Sequence, residues 1–501
     1  MKNSILIILL IISWIAGCTQ ISKDIDIPIW VDPAYNPDTS LQTIVVWFDN
    51  QYLAHGDSFL KKAKEFKGKS RRAVRKEVML ALKEMSNQSF HKIKHLLNTP
   101  ENEHHITAIK QHWIINGFSC RVTTEGFKTI QTLDGVAKIF IKRPPSISKG
   151  TDMGPEFLET IPPTRFDIKS VASYPWNIEK IRAPEVWKEY GITGKGTLNI
   201  VHDSGFKLDI PPLAETIYTN KGEIPGNGLD DDGNGYIDDY HGYNFDAGNA
   251  SLNEPTIRRA TNIHGNLCAA MIAGTFATNT KQAIGVAPGS QWAPVIGSSN
   301  IEQAVEWAIE QGADTYSMSF SHPNLGEYRT HWRKVLEHGT LCGVVFISGA
   351  GNFATGRRAA PIPVQMRNPE DIPNAVLGVA GVGKDGTRPK FSSQGPVEWQ
   401  TEHYKEGKVE KPDFATLNHK IPCVDPEGNL TNMASGNSLS GPHMSGIVSL
   451  MLSANPDLLP WQVKEILLNT AEDIGDKGFD YQSGYGFVNA YDAVKAVKEK
   501  K

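Results

Sequence analysis

At 501 residues the chain is too long for one ordinary core, so two or more domains are expected. A composition 40% hydrophobic and 21% charged fits a soluble globular protein, and a formal net charge of -4 provides no field for nucleic acid. Five cysteines in this length exclude a disulfide scaffold.

Residues 1–17 read as a secretory signal peptide: Lys2, an apolar run from Ile5 to Ile12, then small residues, too short to span a bilayer stably. The ending Ile15-Ala16-Gly17-Cys18 resembles the bacterial lipoprotein box. That resemblance implies an exported protein with lipid on Cys18, held to a membrane and facing outside the cytoplasm; the alternative is an ordinary signal with an incidental Cys. Residues 18–40 are polar and Pro-bearing and read as a tether.

Residues 41–143 read as a small α+β unit. A strand at 43–48 precedes helical spacing at Val74, Val78, Leu82, Phe90 and Ile93; strands near 106–113 and 115–122, a helix near 124–133 and a strand at 136–141 follow. The order β-α-β-β-α-β is ferredoxin-like. His91, His95, His104, His105 and His112 have no acidic or Cys partners at ligand spacing, which argues against a metal there.

Residues 144–173 are rich in Pro, Ser and Thr and read as a linker and processing region. Residues 174–501 alternate strands (198–202, 293–296, 315–319, 343–348, 375–380) with helices (264–274, 301–311, 327–337, 442–453, 460–470, 490–497). Such alternation predicts an α/β domain, a parallel sheet with helices on both faces and its working residues beyond the carboxyl ends of the strands.

Four stretches fall at such ends. Asp203 follows a strand, and His264 opens a buried helix. Ser438 lies in Gly436-Asn437-Ser438-Leu439-Ser440-Gly441-Pro442, where a tight turn enters an apolar helix and Pro442 is expected in its first turn. Unpaired N–H groups and the helix dipole beside Ser438 suit a nucleophile facing an oxyanion; a plain helix cap is the alternative. Asn352 ends the run Ser348-Gly349-Ala350-Gly351 and offers a further amide donor. Asp, His and Ser are the three roles of acyl transfer: orienting acid, base and nucleophile.

The chain order Asp, His, Ser is that of subtilisin, and the local stretches resemble the subtilisin-like serine peptidases. The resemblance runs over about 174–497, through 198–205, 262–274, Gly285-Val286-Ala287-Pro288, Phe391-Ser392-Ser393-Gln394-Gly395, Lys411-Pro412-Asp413 and Gly436 to Pro442. It implies a triad of Asp203, His264 and Ser438, with Asn352 as the oxyanion-hole side chain. It implies substrate-binding edges at Ser319-Phe320-Ser321 and Gly349-Ala350-Gly351, expected to admit an apolar side chain. It also implies that 41–143 is a propeptide, both chaperone and inhibitor. A cut in the linker would then free the catalytic domain from its lipid anchor. Departures from the family pattern are Asn437, Ser440-Gly441, Asn266-Leu267, His202 and Ala415-Thr416-Leu417. Cys268, one helical turn beyond His264, resembles the free cysteine of the proteinase K and thermitase branches.

A second local signal is an acidic loop. Asp230, Asp232, Asn234, Tyr236 (through its carbonyl) and Asp238 follow the first nine positions of an EF-type calcium loop. The twelfth position is His241, so a bidentate ligand must come from elsewhere, with Asp239 the candidate; an acidic surface turn is the alternative. The calcium would be structural.

Together these observations describe a secreted serine endopeptidase made as an inhibited lipoprotein precursor. It would act on proteins or peptides, bind its own propeptide and reach the membrane through Cys18. Two other readings are a catalytically silent peptide-binding lipoprotein on the same fold and a calcium-dependent surface adhesion protein.

Overall fold

The computed structural model describes residues 28–54, 58–143, 174–253, 264–280 and 282–499. The signal peptide, Cys18 and the linker 144–173 lie outside them.

In the small unit, alternation along one strand decides the packing. In Gln42–Phe48, Ile44, Val46 and Phe48 enter a core with Phe90, Ile93, Leu97, Phe118 and Phe127. Val45 and Trp47 point the other way, into the core of the large unit. The five-stranded sheet runs in the order Trp30–Val31, Val136–Ile141, Gln42–Phe48, Gly117–Val122, Ile106–His112. Its helices Arg71–Leu97 and Thr124–Gln131 start at Ser70 and Thr123, whose side chains accept from backbone N–H groups of the first turn. The β-α-β-β-α-β order is present, with an additional helix Ser58–Glu65. Trp30–Val31 forms a strand inside the stretch read as tether. It pairs parallel with Lys138 and Ile139 because Trp30 packs on Phe140, a contact two residues are too few to announce by periodicity.

The large unit is built on seven parallel strands, in the order Phe414–Leu417, Val376–Val382, Val345–Gly349, Thr315–Met318, Leu198–His202, Gln291–Ile296, Tyr243–Asn244. The central strands are buried throughout, as a sheet covered by helices on both faces requires. His264–Ala273 and Asn437–Ala454 pack on each other and on the sheet. Ile301–Glu310 and Tyr328–Leu341 pack together and carry the small unit. Phe414–Leu417, the two-residue Tyr243–Asn244 and the hairpins Val397–Gln400/Lys405–Val409 and Ile421–Val424/Leu430–Ala434 were not anticipated.

Polar bonds fix the two units together. Trp47 Nε1 donates to His331 Nδ1 at 3.0 Å, and His331 Nε2 meets buried Glu302 at 2.7 Å. The Ile114 N–H donates to Glu306 at 2.9 Å, while the Ile114 carbonyl accepts from His338. Lys142 reaches Asn300 at 2.8 Å and Glu302 at 3.4 Å, and Arg71 pairs with Asp314 at 2.5 Å. Among the described residues no helix is long and apolar enough to cross a membrane.

Candidate active site

Asp203 sits where the strand Leu198–His202 leaves the sheet; its N–H still bonds the Val295 carbonyl at 3.0 Å, so the ladder fixes its position. Its buried carboxylate accepts from the Ser204 N–H at 2.8 Å and faces His264 Nδ1, with Oδ1 at 3.0 Å and Oδ2 at 2.8 Å. A carboxylate at Nδ1 holds the ring proton there and leaves Nε2 as the basic nitrogen. The carboxylate is fully covered while the imidazole remains 18% exposed, the arrangement of a base reachable from solvent and oriented from behind.

Ser438 is the second residue of the helix Asn437–Ala454, which begins earlier than its apolar run suggested. Pro442 is therefore inside the helix, not in its first turn. The proline has no N–H to give to the carbonyl four residues before it, which is that of Ser438. Two side chains take over: Ser319 Oγ donates to that carbonyl at 3.0 Å and Cys268 Sγ at 3.4 Å. The Cys268 thiol also lies with the Asp203 carboxylate and the His264 ring nitrogen in one group whose polar atoms are all within 4.8 Å of each other. Asp203, His264 and Ser438 thus gather about one buried thiol, which burial pushes well above the usual thiol range. Cys120, Cys268, Cys342 and Cys423 are all free and buried.

Asn352 turns its Oδ1 to the Asn437 N–H at 2.8 Å, which directs the amide Nδ2 to the Gly436 side of the turn, 3.5 Å from an ideal Cβ built there. Several departures from the family pattern have definite partners. Asn437 donates to the Gly351 carbonyl at 2.6 Å and to Ser392 at 2.9 Å, and accepts from Asn418 at 2.7 Å. Ser440 donates to the carbonyls of Val379 at 2.8 Å and Asn437 at 2.7 Å. Asn266 clasps both backbone groups of Lys207 at 2.8 Å. His202 is buried against Tyr316 and Phe320, and desolvation keeps it neutral, lowered to about 3.

The two edges expected to bind substrate flank Ser438. Its Oγ is 3.5 Å from the Ser319 carbonyl. A Cβ on Gly349 would stand 2.0 Å from the Asn437 carbonyl, so only glycine permits this approach. Phe320 and Ala350 are buried behind the edges. Ser321 donates to Glu370 at 2.6 Å, and Gly351 lies beside the same carboxyl. Sequence reasoning missed Glu370, which stands beside Asp371 in a polar, Pro-bearing stretch that reads as an ordinary loop.

In the acidic loop the Asp230, Asp232 and Glu223 carboxylates bring oxygens within 4.8 Å of one another. Asp230 and Asp232 accept from the Asn234 N–H at 3.0 Å, and Asn234 Oδ1 accepts from the Tyr236 N–H at 2.8 Å. Asp238 accepts from the N–H groups of Asn227 at 3.1 Å and Gly228 at 3.0 Å. Asp239, the candidate bidentate ligand, is instead committed to Asn220 and Asn234 at 3.0 Å and Trp307 at 2.5 Å, and the third convergent carboxylate is that of Glu223, which also accepts from the Asp231 N–H at 2.9 Å and the Asp238 N–H at 3.1 Å. Glu223 precedes the loop and lies outside the motif spacing. Three convergent carboxylates are a donor set for a hard divalent cation.

Comparison with known proteins gives the family. The Subtilase family model matches residues 194–486, more than half of the chain. Bacillopeptidase F of Bacillus subtilis is 25% identical over 470 residues, covering 88% of this chain and 30% of that protein. Subtilisin DY of Bacillus licheniformis is 28% identical over 238 residues, 46% of this chain and 77% of that protein. A calcium-dependent protease of Trichormus variabilis is 27% identical over 278 residues, 48% of this chain and 41% of its own length. The chain thus spans well under half of two of these relatives. On the family match, the parallel sheet and the Asp203–His264 pair beside Ser438, the chain belongs to the subtilase family.

Proposed function

We propose that the chain is a secreted serine endopeptidase, made as an inhibited lipoprotein precursor. The observation that carries this reading is the Asp203–His264 pair joined to the start of the Ser438 helix through Cys268. Ser438 Oγ attacks the scissile carbonyl carbon while His264 Nε2 takes its proton. Asp203 holds the ring and stabilises the imidazolium. The Asn352 amide and the Ser438 N–H donate to the oxyanion; loss of such a donor costs about 3 kcal/mol, a magnitude established on subtilisin itself. His264 returns the proton to the leaving amine, giving an acyl-enzyme that water then releases by the same steps.

The small unit is the propeptide in this reading, supported by the sheet it lays on Ile301–Glu310 and Tyr328–Leu341. Lipid on Cys18 anchors the precursor, and cleavage in 144–173 releases the catalytic domain. Asp230, Asp232, Asn234, Tyr236 and Asp238, with Glu223, would hold a calcium ion. Bound there, it would neutralise the carboxylates and lock the loop, without entering the reaction.

Labelling with an organofluorophosphate serine reagent tests the chemistry. Labelling and peptide hydrolysis are expected in wild type and absent in Ser438→Ala. A folded wild type without either is a silent binder. Fractionation tests the topology: Ser438→Ala stays uncut in the membrane pellet, whereas the wild-type catalytic domain is soluble.

A further inference from the structure

Two stretches meet at Ser438 by different bonds, Ser319 to Ser321 through the Ser319 carbonyl and hydroxyl, and Gly349 to Asn352 through the Asn437 N–H. The same two stretches meet a second time, away from the nucleophile, on one carboxyl group. Glu370 Oε1 accepts from Ser321 Oγ at 2.6 Å and from the Arg367 N–H at 3.0 Å, and lies 3.1 Å from where a Cβ on Gly351 would be. Glu370 is wholly buried, and its second oxygen, Oε2, has no hydrogen-bond partner.

Nearby cations are engaged elsewhere. The Arg367 guanidinium lies over the Phe353 ring at 3.7 Å, Arg329 pairs with Asp371 at 3.7 Å, and Lys411 pairs with Asp413 at 2.7 Å. Asp371, next in the chain, adds further negative charge. Burial first, and Asp371 with it, push the Glu370 carboxyl up to about 8, the response of an acid with no cation to answer it.

We infer that Glu370 is a specificity-determining residue, selecting a Lys or Arg side chain on the acyl side of the bond to be cut. This inference rests on the endopeptidase reading above and replaces the apolar preference expected from Ser319, Phe320 and Gly349. A cationic side chain entering between the two edges supplies the missing donor to Oε2 and the charge that lets the carboxyl ionise. An apolar side chain would leave that oxygen buried and unpaired.

The test is cleavage-site mapping by mass spectrometry on a mixed peptide pool with the full-length wild-type chain, then with Glu370→Gln. Wild type is expected to favour Lys or Arg over Phe or Leu by about 10- to 100-fold in kcat/KM. Glu370→Gln is expected to lower that ratio to within a few-fold of unity. The wild-type profile alone is decisive if the variant fails to fold. Cleavage after apolar residues by wild type overturns the inference while leaving the endopeptidase intact, and a preference for Asp or Glu overturns it in favour of Arg367. No cleavage and no serine labelling in wild type overturns both readings.

Discussion

Pro442 withholds a hydrogen bond from Ser438. Its ring nitrogen stands where the helix would otherwise close on the Ser438 carbonyl, and that carbonyl is held by Ser319 and Cys268 instead. A structural defect in the helix thereby becomes a tie between Ser438 and two other parts of the site.

Pro442→Ala restores the missing N–H and so offers the Ser438 carbonyl a partner within the helix. Because proline is unfavourable in a helix interior, the variant should be at least as stable to heat as wild type. Drawing Ser438 toward the helix should lower kcat about tenfold, since small displacements of a nucleophile are costly. A thermal melt and a kcat measurement on the same preparation check both halves.

Cys268 makes the site vulnerable to soft metals. A mercurial on Sγ would break the bond to the Ser438 carbonyl and crowd His264 and Asp203. Wild type should lose activity with mercury slowly, because the thiol is buried and held protonated. Cys268→Ala should retain activity and resist mercury. Full activity of mercury-treated wild type refutes this.

Acid should loosen the hold between the units. Burial keeps His331 and His338 neutral, His338 down at about 3, and His331 Nδ1 is occupied by the Trp47 N–H. Glu302, Lys142, Lys334 and Glu306 surround these rings. For a base depressed on folding, the unfolded or undocked form binds more protons below about pH 6.5. The stabilisation is thus complete above that value and lost as pH falls from there toward about 3 for His338. Thermal unfolding of the uncut Ser438→Ala chain between about pH 7.5 and about pH 4.5 should show a falling midpoint that His338→Gln flattens.

Glu223 should matter to calcium although it lies outside the loop motif. With calcium present the thermal midpoint should exceed that in chelator, and Glu223→Gln should shrink the gap. An equal midpoint with and without chelator for wild type removes the proposed ion.

What could be read from the chain alone had local causes. Asp203, His264 and Ser438 lie at ends of well-patterned elements, and Asn352 closes a run of small residues that only a close approach demands. The long helix Arg71–Leu97 and the buried strands announced themselves by period. What was missed depended on distant partners. The position of Pro442 in its helix depends on where Gly436 turns, at a φ of 154°. Glu223 and Glu370 acquire their surroundings from loops brought together by the fold, and Trp30–Val31 is a strand through its pairing with Lys138 and Ile139, far along the chain.

The strand Gln42–Phe48 belongs to two cores at once, with Ile44, Val46 and Phe48 turned to its own helices and Val45 and Trp47 to the large unit. Adhesion to the large unit and the fold of the small unit are therefore encoded on opposite sides of the same strand. Substitution at Val45 or Trp47 can retune how firmly the two units hold each other without erasing the small unit's own core, and selection can adjust one property while leaving the other alone.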